Sequence, residues 1–168
     1  MLAILAIFCA KYLIALALIF AAVFALKLSK PELRSIIIFG AIAFPLIYLT
    51  ALIAGHLYNN PRPFVVEHFV PLIPHDADNG FPSDHVLLAS AIAAIWTIYR
   101  RRIGLVLWAA AVAIGIARVY VGVHHPTDII GSALIAGAVS WGFYVLIKRS
   151  RFFAQLFPIS RPYPQAGR

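Results

Sequence analysis

Apolar residues run in long blocks along this chain, and charged residues gather in the intervals between them. Five blocks stand out: Leu2 to Leu26, Ile36 to Leu57, Val86 to Tyr99, Ile103 to Val121 and Ile129 to Ile147. A helix crosses the hydrocarbon layer with about 20 apolar residues, and each block meets that length or comes near it. The third is the shortest and extends back through Ser83. The pattern predicts an all-α integral membrane bundle of about five transmembrane helices. Lys11 interrupts the first block and allows an extra interfacial N-terminal segment ahead of a span from Tyr12 to Leu26. The block runs on too long, and lacks the small-residue site, for a cleavable signal. Pro45 predicts a kink in the second span. Gly115, Gly122, Gly131, Ala133, Gly137 and Gly142 predict close helix packing along the last two spans.

Composition agrees with this reading. Of 168 residues, 62% are hydrophobic and 12% charged, about half the charged share of an ordinary soluble domain. A net charge of +8 would suggest nucleic acid in a soluble protein. Here no patch interleaves basic and aromatic residues on a polar surface, so nucleic acid is not an expected partner; membrane lipids are. A single cysteine, Cys9, excludes an intramolecular disulfide and a multi-thiolate metal centre.

Charge placement orients the bundle, because short cytoplasmic loops collect Lys and Arg. Eleven of the fourteen basic residues follow the first, third and fifth spans, from Lys27 to Arg34, Arg100 to Arg102 and Lys148 onward. Those ends are assigned to the cytoplasm. Residues 1–150 then form one membrane-embedded domain, and residues 151–168, with Pro158, Pro162 and Pro164, a disordered cytoplasmic tail. The opposite loops hold all six histidines, with Arg62 and Arg118 as their only arginines. A topology signal does not explain those two, so chemistry is sought there.

The interval from Tyr58 to Ser83 contains five prolines, which rule out a regular helix and favour a stiff loop. It ends in Phe81-Pro82-Ser83-Asp84-His85, where Ser83 or Asp84 suits a helix N-cap and free backbone N–H groups suit an anion. Within the loop, Asp78-Asn79-Gly80 reads as a turn. A second cluster, Arg118 and then His124-His125-Pro126-Thr127-Asp128, lies at the turn into the fifth span. Asp128, four residues beyond His124, can accept a hydrogen bond from one imidazole nitrogen and leave the other as nucleophile or base. Alternating spans bring Arg62, Ser83, His85, Arg118, His124 and Asp128 to one face. Two arginines, a hydroxyl, a helix start and two histidines suit phosphoryl transfer. The bland readings are a capped helix with a surface histidine and a wet His–Asp pair; convergence on one face weighs against both.

These residues resemble the three-part signature of the type 2 phosphatidic acid phosphatase superfamily. The parts are Asn60-Pro61-Arg62-Pro63-Phe64; Phe81-Pro82-Ser83-Asp84-His85; and Arg118 followed by His124 and Asp128. The resemblance implies that His124 attacks phosphorus and carries a phosphohistidine, that Asp128 orients it, and that His85 protonates the leaving oxygen. It implies phosphate binding by Arg62, Ser83 and Arg118, with no metal and no cofactor. It further implies a multi-pass protein of the bacterial cytoplasmic membrane, its site facing outward, acting on a lipid phosphate or pyrophosphate.

The chain also departs from the signature. The usual first-part Lys is Gly55, and the usual residues ahead of His85 and Arg118 are replaced by Asp84 and Ala117. These changes are similar to those of the bacterial branch associated with undecaprenyl pyrophosphate, which makes an isoprenyl pyrophosphate the expected substrate. Phosphatidate, phosphatidylglycerol phosphate and lipid A phosphates are the alternatives. Lys11 is an additional candidate for the missing cation, and Asp84 for a place in the site. A metal-dependent hydrolase built on His85, His124, His125 and Asp128 leaves both arginines unexplained. A lipid or anion transporter would show a matched pair of broken helices, which the sequence lacks.

Overall fold

The structure is a computed structural model and describes residues 1–149. The expected tail, residues 151–168, lies outside the described residues. Five long helices and one short one follow in order: α1 Leu2–Ala25, α2 Lys30–Leu57, α3 Pro63–Val66, α4 Asp84–Tyr99, α5 Arg101–Tyr120 and α6 Pro126–Arg149. Helices α1, α2, α5 and α6 are long and apolar enough to cross a membrane; α4 is apolar but shorter.

The short third block is the centre of the bundle. Helix α4 packs chiefly on α5 and α6, with α1 and α2 outside them. Its small residues Ala89, Ser90, Ala91, Ala93 and Ala94 are all buried, as are Ile95, Trp96 and Tyr99. At a rise of about 1.5 Å per residue it is roughly 24 Å long. A helix wrapped by protein rather than lipid need not match the hydrocarbon thickness, which accounts for its shortness. The main apolar core joins it to Phe39, Ile47, Leu107, Phe143 and Ile147.

Helix α1 runs unbroken through Lys11, so the interfacial segment is not formed. Helix α2 continues through Pro45. Of the small residues, Gly115 and Gly131 stand where any Cβ would strike Ile129 and Phe81, whereas Gly137 and Gly142 face open space and explain no packing. At the end bearing Lys27, Lys30 and Arg34, Arg100 ties the α4–α5 turn to α2 by an ion pair with Glu32 at 2.5 Å. At the other end the C-termini of α2 and α5 meet the N-termini of α4 and α6, and the connections 58–83 and 121–125 close over them.

Candidate active site

The loop 58–83 is tied down along its length. Asn79 acts as a clip: its amide donates to the carbonyls of Gly55 and Tyr58 at 2.8 and 3.2 Å, and its Oδ1 accepts from the Asn60 and Phe81 N–H groups at 2.9 and 3.0 Å. Further along, Leu72 N–H donates to Val121 O at 3.0 Å. Ile73 is buried against Ala10, Ala117, Val121 and Val123. Phe69 lies on Gly122, whose φ of +84° suits a residue without Cβ. The α5–α6 connection and the loop therefore hold each other in place.

His124 is the centre of what they enclose. Its Nδ1 lies 3.2 Å from Asp128 Oδ2. Its Nε2 lies 3.2 Å from Arg62 Nη1 and 3.3 Å from Arg118 Nη2. Arg62 Nη1 also lies 3.5 Å from Nδ1, but the Asp128 carboxylate can only accept, which assigns the proton to Nδ1 and leaves Nε2 as the acceptor. The carboxylate is fully buried and held at both oxygens: His125 N–H donates to Oδ2 at 2.8 Å, and Asn60 Nδ2 to Oδ1 at 2.7 Å. Burial, together with the charges of Arg118 and Arg62, holds the His124 imidazole below its usual range despite the opposing pull of Asp128. The surroundings thus favour the neutral ring, with Nε2 facing the two guanidiniums.

The arginines are 4% and 3% exposed. Arg62 is braced from behind, with Nε donating to Asp78 Oδ1 at 2.6 Å and Nη1 to Val123 O at 2.9 Å. Arg118 Nε and Ser83 Oγ are buried without a hydrogen-bond partner among the described residues. Buried donors of this kind are costly unless something else satisfies them, which marks the space in front of them as a ligand site. Ser83 occupies the N-cap position of α4, but its hydroxyl makes no cap bond. Ser132 Oγ, placed to donate to Ser83 O at 3.0 Å or Asp128 O at 2.7 Å, ties the two helix starts together.

The predicted convergence is therefore seen for Arg62, Ser83, Arg118, His124 and Asp128. His85 is half-buried and within electrostatic range of Arg118 and His124. Asp84 is exposed at the rim of an apolar groove between α2 and α4, within electrostatic range of Arg118 and His85. Lys11 is exposed on α1, next to Ala10, which packs against Ile73, Ala117, Val121 and Val123. Four residues the sequence left without a role do come in: Asn60, His75, Asp78 and Asn79. Their signal was the density of side-chain donors and acceptors in a loop whose only helix among the described residues is the four-residue α3, started by Pro63 where a missing N–H costs nothing.

Comparison with known proteins follows from this geometry. The family model for the PAP2 superfamily matches residues 35–152. The chain belongs to the PAP2 superfamily. Among curated members, the undecaprenyl-diphosphatase BcrC of Bacillus subtilis is 38% identical over 60% of this chain and 52% of its own length. The putative undecaprenyl-diphosphatase YbjG of Escherichia coli is 38% identical over 80% of this chain and 68% of its own. The match thus spans about half the length of the Bacillus relative. The crystal structure of Aquifex aeolicus LpxE superposes with a TM-score of 0.60 at 26% identity, covering 84% of this chain and 81% of that one. The family match over residues 35–152 spans all of the site residues from Asn60 to Asp128.

Proposed function

We propose that this chain is an integral membrane lipid phosphatase that releases inorganic phosphate from an isoprenyl pyrophosphate through a phosphohistidine on His124. The observation that carries the proposal is the His124 ring, fixed by Asp128 on one nitrogen and facing two guanidiniums with the other. A phosphoryl group seated there receives the donors of Arg62 and Arg118 and the unpartnered Ser83 hydroxyl.

In this reading the Nε2 lone pair attacks the terminal phosphorus while its bond to the bridging oxygen breaks, His85 delivers a proton to that oxygen, and the lipid monophosphate leaves. Asp128 stabilises the imidazolium that forms. His85 then takes a proton from water, whose oxygen attacks the phosphohistidine and releases phosphate and neutral His124. The arginines neutralise equatorial charge in both steps. They also disfavour a cation at His124, which weighs against the metal-ligand reading. The lipid chain is assigned to the groove of about 420 Å³ between α2 and α4, walled by Phe44, Tyr48, Leu87, Leu88 and Ala91. The names of the Bacillus subtilis and Escherichia coli relatives support a diphosphate over phosphatidate, phosphatidylglycerol phosphate or lipid A phosphates. Basic residues at the opposite end support a cytoplasmic-membrane protein with its site facing outward.

The test is phosphate release by purified protein in detergent from that panel of lipids, with undecaprenyl pyrophosphate expected to lead. His124→Ala should abolish turnover, and acid-quenched wild type should carry an acid-labile phosphoryl group that the variant lacks. Full activity in His124→Ala would falsify the assignment.

A further inference from the structure

One half-buried titratable group stands at the site without a part in that chemistry. His75, on the closing loop, has Nε2 2.9 Å from Arg118 Nη2, and its ring centroid lies 6.1 Å from that of His124, the planes at 76°. A single guanidinium nitrogen therefore bonds both Nε2 atoms, at 2.9 Å to His75 and 3.3 Å to His124. Any phosphate oxygen that takes Arg118 Nη2 as donor arrives beside the His75 ring.

The loop is built to hold that ring still. Ile73, two residues before it, is 3% exposed in a packed cluster, and Asp78, three residues after it, is bonded to Arg62. His75 Nδ1 is buried with no well-formed hydrogen bond among the described residues, the Asp76 backbone alongside. The other polar groups facing it are Arg62, Arg118, His124 and, at longer range, His85 and Asp78. The cations acting on it are Arg62 and Arg118. Gly55, on the last turns of α2, packs so closely that a Cβ would sit 2.8 Å from Phe81 O.

We propose that His75 is a fourth phosphate-binding side chain, which gains a proton when the phosphoryl group arrives and donates to one of its oxygens. On the phosphatase reading, this ligand belongs to the transferred phosphate, and Arg118 Nη2 moves from His75 to an adjacent oxygen. Burial, with Arg62 and Arg118, holds the empty-site imidazole below its usual range, and a bound phosphate dianion supplies the opposite charge.

The experiment is calorimetric titration of the purified full chain with inorganic phosphate, which needs no turnover. His75→Gln keeps an acceptor for Arg118 but cannot carry charge, and losing a charge-assisted bond should weaken phosphate binding about 10-fold or more. His75→Lys, which restores a cation, should recover most of that loss and so separates lost binding from lost folding. Wild-type affinity in His75→Gln would show that His75 merely orients Arg118 and would overturn the proposal. Failure of His75→Lys to recover any affinity would do the same. If binding depends on His75 as described while no lipid phosphate is hydrolysed, the phosphatase reading falls and the phosphate ligand stands.

Discussion

Asn60 donates to Asp128 Oδ1 at 2.7 Å, leaving the other carboxylate oxygen to His124 and the His125 amide. The carboxylate thus cannot rotate away from the ring it orients. Asn60→Ala frees one oxygen of a fully buried carboxylate, and one such hydrogen bond is worth about 1–2 kcal/mol. The expected outcome is a kcat reduced about 10-fold with KM changed less, because the phosphate ligands are untouched. Asn60→Asp should be worse, since it sets a second carboxylate against the first. Wild-type kcat in Asn60→Asp would contradict this role.

The pH profile offers a second check. The proposed nucleophile must be neutral, so activity is present above the folded-state pKa of His124 and is lost as pH falls through it. That pKa is lowered from the ordinary 6.5, which places the acid limb of kcat/KM below pH 6.5. Asp128 opposes the shift and the arginines reinforce it. Asp128→Asn should therefore move the limb to still lower pH, with a plateau reduced about 100-fold or more. Arg118→Gln should move it upward. Comparing variants on one substrate cancels the substrate's own ionisation. A limb that stays in place in both variants would remove His124 as its origin.

Asn79 carries a stability prediction. Its side chain makes four hydrogen bonds to backbone groups of the α2 end and the loop. Asn79→Ala leaves several partly buried groups unsatisfied and should cost about 2 kcal/mol or more. Asn79→Asp keeps the acceptor but turns an oxygen toward the carbonyls of Gly55 and Tyr58, so it should fold no better than the alanine variant. Thermal unfolding in detergent measures both.

These residues show where the sequence was legible. Helix type and number follow from the apolar blocks, because a bilayer allows few alternatives to a helix. The pairing of His124 with Asp128 follows from a spacing of four at a helix start. The two arginines brought together at His124 betrayed themselves by breaking the charge rule. The loop was illegible for a physical reason: its order comes from side-chain bonds to distant backbone, such as Asn79 to Gly55, and no periodicity records those. For Lys11 the sequence says only how high it stands on α1 and not which way it faces; Ala10 beside it is fully buried.

Gly122 gives the sharpest test of how the loop and the α5–α6 connection are joined. Its φ of +84° is strained for any residue with a Cβ, and an added Cβ would lie 2.5 and 2.8 Å from Cε2 and Cζ of Phe69. Gly122→Ala therefore carries two costs: left-handed backbone strain of about 1 kcal/mol and an overlap of about 1–3 kcal/mol that only movement of Phe69 relieves. Phe69→Ala removes the ring, which is partly exposed already, and in that background Gly122→Ala should retain the backbone cost alone. The double variant should then be more stable than the sum of the single changes by about 1 kcal/mol or more. Because Phe69 precedes Leu72 and His75 on the same loop, Gly122→Ala alone should also weaken phosphate binding, and Phe69→Ala should not restore it if the loop has lost its anchor. Strict additivity in unfolding measurements would mean that the ring and the glycine are neighbours without being packed, and that the loop is held by Ile73, Asp78 and Asn79 alone.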